Sequence, residues 1–81
     1  MNVQLRLFAV ARQLAGRDRL SLELPDDATL AKLRDRLAEE VPQLAPVLGQ
    51  MTFAIGTEYA DDGTVIPPDA EVACIPPVSG G

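Results

Sequence analysis

The sequence predicts an α+β domain in which a mixed sheet of about five strands packs against one main helix. Two segments near the N-terminus alternate apolar and polar residues, which is the period of a half-buried strand. A segment in the middle of the chain repeats apolar residues every three or four positions, which is the period of an amphipathic helix. Because a helix and a sheet that each have one apolar face bury both by packing together, these patterns favour two layers.

The N-terminal segments predict two strands joined by a short helix. The first strand covers about residues 2–8, and the second begins near Leu20 and ends before Pro25. Between them, good helix formers are followed by Gly16, a residue type that commonly ends helices in a left-handed conformation. The short connection leaves the two strands free to pair as antiparallel neighbours.

The main helix is predicted to follow an N-cap at Thr29 and to end before Pro42. The Thr29 hydroxyl can accept a hydrogen bond from the first helical turn, whereas a proline removes a helical donor and ends the helix. Residues 42–50, which contain two prolines and a glycine, are predicted to form a loop. The inward-facing helix positions are Leu30, Leu33, Leu37 and Val41.

The remaining strands are predicted at residues 51–55, 64–66 and 71–75, with a turn at residues 61–63. The last strand has the sequence EVACI and is apolar almost throughout, so we expect it to be buried on both faces. This order of elements suits a β-grasp, in which the first and last strands lie parallel at the centre of the sheet. The sequence thus predicts a β-grasp domain over residues 1–75 and an extended tail over residues 76–81.

Composition and charge exclude several classes of protein. With 81 residues, 47% of them hydrophobic and 23% charged, the chain has the composition of one globular domain. Twelve acidic residues against seven basic ones give a net charge of −5, the wrong sign for binding phosphates, so we expect no nucleic-acid partner. A basic surface on another protein is the more plausible partner. Since no apolar run approaches the roughly 20 residues of a membrane span, we also expect no membrane partner and a cytoplasmic location.

The side chains offer little chemistry of their own. The chain has no histidine, which removes the usual general base and the Ser-His and Cys-His nucleophile pairs. Glycine-rich phosphate-binding motifs and Cys or His clusters for a metal are also missing from the sequence. Cys74 lies in an apolar strand and is predicted to be a small buried hydrophobic residue, although a nucleophile or persulfide carrier is the alternative. The acidic pairs at residues 26–27, 39–40 and 61–62 are predicted to serve turns and helix ends, and the single lysine, Lys32, to be solvated.

The tail IPPVSGG is the remaining candidate for a functional site. Pro76 and Pro77 fix φ and favour an extended conformation, so the six residues after Ile75 can reach on the order of 20 Å at about 3.3 Å per residue. Val78 offers an apolar anchor part-way along. Gly80 and Gly81 lack side chains and can enter a channel that is too narrow for other residues. The predicted reactive group is therefore the carboxylate of Gly81, which adenylation by ATP on a partner enzyme would activate.

The ending EVACIPPVSGG and the opening LRLFAVARQLAG, residues 5–16, resemble the two ends of one known family. They are similar to the MoaD-like sulfur carriers, the small subunits of molybdopterin synthase. Two departures lie in loops or strand ends: Gly56, where the family often has Asn, and residues 69–70, where it has Gly-Asp. The resemblance implies a ubiquitin-like β-grasp fold.

The resemblance also implies a sulfur-transfer cycle. A ubiquitin-activating-like adenylyltransferase would use ATP to adenylate Gly81, and a sulfurtransferase would convert it to a thiocarboxylate. The tail would then enter the active site of the large synthase subunit and give its sulfur to cyclic pyranopterin monophosphate. The tail residues concerned are Pro76, Pro77, Val78, Ser79 and Gly80. Two small and two large subunits are implied, with no permanently bound cofactor, no metal and no stand-alone activity in this chain.

Three alternatives stay open on the sequence. The chain resembles, more distantly, sulfur carriers of thiazole synthesis, cysteine synthesis or tRNA thiolation, and ubiquitin-like modifiers that are joined to lysines. A binding module with an inert tail is the third. Phe8, Ile75 and Val78 are candidate interface residues, but the sequence favours placing Phe8 in the core.

Overall fold

The computed structural model describes residues 1–77, which form a five-stranded sheet and two α-helices. In chain order the elements are β1 (Asn2–Leu7), α1 (Ala9–Ala15), β2 (Arg19–Glu23), α2 (Leu30–Glu40), β3 (Thr52–Ile55), β4 (Glu58–Ala60) and β5 (Glu71–Ile75). Two single turns of 3-10 helix, Pro42–Leu44 and Leu48–Gln50, connect α2 to β3. Within residues 1–77, neither helix has the length and apolar character needed to cross a membrane.

The strands are arranged in the order β2-β1-β5-β3-β4. β1 and β5 are parallel, with Leu5 opposite Val72, and the other three pairings are antiparallel. The first and last strands therefore lie side by side near the centre of a mixed sheet. This confirms the predicted β-grasp, including the antiparallel pairing of the two N-terminal strands.

Helix α2 covers one face of the sheet, which we call the inner face. Thr29 caps the helix as predicted, because its side-chain oxygen accepts a hydrogen bond from the backbone N–H of Lys32 at 3.4 Å. Gly16 ends α1 with a φ of 77°, the left-handed conformation that favours glycine. The largest fully buried residues, which the inner face shares with α2 and the following turns, include Phe53, Leu5, Leu7, Leu22, Leu30, Leu33, Leu37, Leu44 and Ile66.

The prediction of a strand at residues 64–66 is wrong. The fourth strand is β4, which pairs with β3 through a two-residue loop, Gly56-Thr57. Gly56 adopts a φ of 63°, and a glycine at the first loop position is typical of tight hairpins. Residues 64–66 instead run beside the start of α2, where Val65 forms a single bridge to Thr29. Ile66 still enters the core, so the apolar pattern there reflects burial without strand pairing.

The expected burial of β5 on both faces is also wrong. Val72 and Cys74 are buried on the inner face, but Ala73 and Ile75 are only partly buried. They belong to the opposite side of the sheet, which neither helix of residues 1–77 covers and which we call the open face. The small side chain of Ala54 in the neighbouring strand lies opposite Ala73 there. The apolar residues of β5 therefore alternate between the core and a partly exposed surface.

Arg34 of α2 ties the helix to the segments around it. Its guanidinium donates hydrogen bonds to the carbonyls of Met51, at 3.0 Å, and of Leu48. The same group lies 2.9 Å from Oδ1 of Asp62 and 4.7 Å from the ring centroid of Phe53. Because its side chain is 22% exposed, these contacts hold the turn before β3 and the turn after β4 against the helix.

Candidate functional site

Strand β5 delivers the tail to one end of the sheet. It is paired on both sides, to β1 and β3, and its side chains Val72 and Cys74 are anchored in the core. The pairing with β3 extends to Ile75. Pro76 and Pro77 have no N–H groups and cannot continue the hydrogen-bond ladder. The tail therefore leaves the sheet directly after Ile75, from a strand that is fixed on both edges.

A shallow groove of about 380 Å³ lies beside the first tail residues. Tyr59 forms part of its wall and is 72% exposed. Tyrosine is common at protein interfaces because it combines an apolar ring with a hydroxyl that can form hydrogen bonds. Sequence reasoning missed this residue because it placed the fourth strand too late in the chain. The Gly56-Thr57 pair after an apolar strand was the signal that could have found it. The groove is lined by Thr52, Tyr59, Ile75, Pro76 and Pro77.

Phe8 lies on the surface, so the prediction that it belongs to the core is wrong. It directly follows β1, is 40% exposed, and its backbone N–H donates a hydrogen bond to the Cys74 carbonyl at 3.3 Å. The guanidinium of Arg6 lies 5.3 Å from the centroid of its ring. Phe8 has an extended backbone and continues the alternation of β1, which places it on the side of Arg6 and away from Leu7. Phe8 therefore lies on the surface next to the end of β5.

The structure describes part of the predicted tail site. Pro76 is partly buried and Pro77 is exposed, both beside the groove. The other four predicted site residues, Val78, Ser79, Gly80 and Gly81, lie outside the described residues. Their roles therefore stay predictions, and what the structure establishes is where the tail starts and what surrounds its base.

Cys74 is buried in the core. Its side chain is on the inner face with no exposed surface, and burial raises the pKa of its thiol to about 11, against a smaller opposing effect of the Arg34 charge. Since the thiolate is the reactive form of cysteine, this environment suppresses nucleophilic chemistry. The geometry agrees with the prediction of a small buried hydrophobic residue.

The acidic pairs stabilise turns, the chain terminus and the surface of α2. Asp26 lies 3.6 Å from the N-terminal ammonium, and Asp61 accepts a hydrogen bond from the Thr64 hydroxyl at 2.9 Å. Glu40 pairs with Arg36 one turn away at 2.9 Å. In residues 1–77 no three His, Cys, Asp or Glu side chains converge in a way that could hold a metal ion. Five of these six acids therefore have structural partners, and Asp27 lies in the turn before α2 with a φ of 64°.

A model of the ThiS family matches residues 5–81. The chain belongs to the ThiS family. The molybdopterin synthase sulfur carrier subunit of Arabidopsis thaliana is 36% identical to it over 81 residues, covering 100% of this chain and 84% of that protein. These findings confirm the predicted resemblance and the predicted role as a sulfur carrier in molybdenum cofactor biosynthesis. The adenylation and thiocarboxylate steps at Gly81 stay predictions.

Solved structures share the fold of this ThiS-family chain. SAMP1 from Haloferax volcanii superimposes with a TM-score of 0.87 at 27% identity, and the match covers 100% of both chains. A complex of subunits 1 and 2 of molybdopterin-converting factor from Helicobacter pylori contains a chain that superimposes with a TM-score of 0.70 at 23% identity, again over 100% of both chains. The second likeness establishes the β-grasp fold alone.

Proposed function

We propose that this ThiS-family chain is the sulfur-donating small subunit of molybdopterin synthase and carries sulfur on its C-terminal glycine. The observation that carries the proposal is the likeness of the whole chain, tail included, to proteins named molybdopterin synthase sulfur carrier subunits. The geometry of β5 supports it, because a strand fixed on both edges gives way at Ile75 to two residues that cannot pair with the sheet.

The proposed chemistry takes place at a backbone carboxylate. A carboxylate is a poor electrophile until it acquires a leaving group. On a ubiquitin-activating-like adenylyltransferase, the Gly81 carboxylate attacks the α-phosphate of ATP, and pyrophosphate leaves. The persulfide of a sulfurtransferase displaces AMP to give an acyl disulfide. A thiol then cleaves the S–S bond, so that the terminus becomes a thiocarboxylate and a disulfide forms. Two such carriers supply the two sulfurs of the dithiolene that is built on cyclic pyranopterin monophosphate.

The catalytic groups of the transfer step belong, in this proposal, to the large synthase subunit. The chain has no histidine, and its cysteine is buried with a raised pKa, so it has neither the usual general base nor an accessible thiolate. The complex of two converting-factor subunits from Helicobacter pylori supports an assembly of this kind. An assembly of two small and two large subunits, and a cytoplasmic location, stay predictions.

The open face around Ile75 has the exposed aromatic residues needed to bind the large subunit. Phe8 and Tyr59 lie on either side of the β5 end and are 40% and 72% exposed. Burying apolar surface contributes roughly 25 cal/mol per Å², and exposed aromatic residues often dominate the energy of an interface. Docking of this surface would place the base of the tail at the entrance to the partner's active site.

Deletion of Gly81 tests the proposal, because it leaves a terminal carboxylate but shortens the tail by about 3.3 Å. We expect molybdopterin formation with the large subunit to be abolished. The sheet and both helices lie within residues 2–75, so the deletion should not change the urea midpoint of unfolding. Substitution of the distant, exposed Lys32 by alanine is the matched control and should leave product formation unchanged. Normal synthesis by the shortened chain would refute the carrier role of Gly81.

A protein modifier is the second candidate, favoured by the likeness to SAMP1, a small archaeal modifier protein. A modifier would pass its activated Gly81 to a lysine amine, so that AMP leaves and an amide forms. The two functions differ in their products. Covalent adducts of this chain on the lysines of other proteins would indicate a modifier, whereas a free chain with one oxygen replaced by sulfur indicates a carrier.

A further inference from the structure

Charges are separated along the strands of this acidic chain. Four of the seven basic residues lie between positions 6 and 19, near the end of the sheet where the tail leaves. The opposite end, where β1 and β5 begin, contains most of the carboxylates that flank the sheet. These are Glu23, Asp26, Asp27, Glu58, Asp69 and Glu71. Between positions 6 and 19 these four basic residues face a single acidic one, Asp18, so this end is basic although the whole chain has a net charge of −5.

Two of these arginines face each other across neighbouring strands. Arg6 of β1 is directly opposite Arg19 of β2, so both side chains are on the open face. Like charges in this position destabilise a sheet. Arg6 lies 3.9 Å from Glu71 and 5.3 Å from the Phe8 ring centroid, but in residues 1–77 Arg19 and the nearby Arg17 have no carboxylate within ion-pair distance. The facing arginines therefore do not stabilise the sheet, and the exposed Arg17 and Arg19 remain available to carboxylates of another protein.

The arginines occupy one side of the tail base only. Across the open face the order runs from Arg19 and Arg6, through Ala73 of β5, to Tyr59 on the far edge. The side towards β2 is thus basic, and the side towards β4 is the groove with an exposed aromatic ring. A tail that enters a channel does not by itself fix how the domain is rotated about the channel axis. A docking surface that is basic on one side and apolar on the other fixes that rotation.

We propose that Arg6, Arg17 and Arg19, which we call the arginine flank, dock against a carboxylate-rich margin of the protein surface that receives the tail. The inference rests on the proposed function, since the receiving surface is that of the large synthase subunit. Charge complementarity on the β2 side and apolar contact on the β4 side fix one rotation of the domain and bring Gly81 to the reacting atoms in one orientation. The net charge of −5 favours a basic partner surface for the chain as a whole, and the arginine flank is the local exception.

Charge reversal at Arg19 tests this inference with a matched control. Arg19→Glu and Lys32→Glu change the net charge equally, but the exposed Lys32 is near the start of α2, away from the tail. Arg19→Glu should fold, because it places a carboxylate opposite Arg6 in place of a second guanidinium. Arg19→Lys keeps the charge and should behave as the unaltered chain. Far-UV circular dichroism and urea unfolding check that each variant is folded.

The measurement is the rate and affinity of binding to the purified large subunit as salt is raised. At low salt we expect Arg19→Glu to bind roughly three- to tenfold more slowly than Lys32→Glu, because charges at the rim of an interface act mainly on association. The difference should vanish near 1 M salt, where the screening length is about 3 Å.

Three results would overturn the inference. Equal association of Arg19→Glu and Lys32→Glu would show that the arginine flank does not contact the large subunit. A defect seen only with the adenylyltransferase would assign the flank to that enzyme. Failure of the unaltered chain to bind the large subunit would contradict the proposed function itself.

Discussion

Replacing Cys74 with alanine decides between the two places where the chain can hold sulfur. The thiol is the alternative to the Gly81 carboxylate, since a cysteine can carry sulfur as a persulfide. With its pKa raised to about 11, about one thiol in a thousand is ionised at pH 8, against about one in ten at the ordinary value of 9.0. Ionisation alone therefore slows its reactions by about a hundredfold, and burial adds to this.

The structural cost of the substitution should be small. Cys74 is fully buried between β1 and β3, so removing its sulfur leaves a small cavity and costs about 1–2 kcal/mol. We expect the variant to fold and to accept sulfur at the unaltered rate. Sulfur loading is measured by mass spectrometry after incubation with the adenylyltransferase, ATP and the sulfurtransferase. Alkylation of the unaltered chain at pH 8 should be slow until urea unfolds it.

The Cys74 experiment has a clear contrary result. A folded Cys74→Ala chain that no longer acquires sulfur would place the carried sulfur on the thiol and would refute the assignment to Gly81. Rapid alkylation of the native chain would show that the thiol is accessible, against the buried position in the structure.

Two further predictions concern stability. Burial raises the pKa of the Cys74 thiol to about 11, so the folded chain keeps this proton to a higher pH than the unfolded chain. The unfolded chain releases it near the ordinary value of 9.0. The free energy of unfolding should therefore fall by about 1.4 kcal/mol per pH unit between these values, and the fall should be absent from Cys74→Ala when both are unfolded in urea. Arg34→Met should cost about 2–4 kcal/mol in the same assay, since it leaves the partly buried carbonyls of Leu48 and Met51 without their charged donor. Arg36→Met, which breaks only surface ion pairs, is the control and should cost at most about 0.5 kcal/mol; equal losses would refute the role of Arg34.

The sequence predicted the elements whose periodicity is strong. The alternation around Leu5 and the apolar spacing from Leu30 to Leu37 correctly placed β1 and α2, because each pattern has one buried face. Gly16 and Thr29 correctly marked a helix end and a helix start. Local backbone chemistry and hydrophobic patterning therefore determined the fold class.

The errors came from segments whose burial does not follow a simple period. Ile66 is buried without belonging to a strand, and the exposed Tyr59 belongs to one, so an apolar run misplaced the fourth strand. Phe8 was misplaced because its apolar ring was given more weight than the alternation of β1, which assigns it to the side of Arg6. Pairing between distant strands decides which residues surround the tail, and it also brings Arg6 opposite Arg19. A single sequence contains no direct signal for such pairing.

The mass of the chain after complete sulfur loading tests the carrier function most directly. We predict an increase equal to the exchange of one oxygen for one sulfur, located by fragmentation at Gly81, and its loss when the large subunit and cyclic pyranopterin monophosphate are added. Hydroxylamine or an added thiol during isolation must be excluded, because both attack activated carboxyl groups. An unchanged C-terminal mass in a chain that still supports molybdopterin formation, or added sulfur located at Cys74, would contradict the carrier function of Gly81.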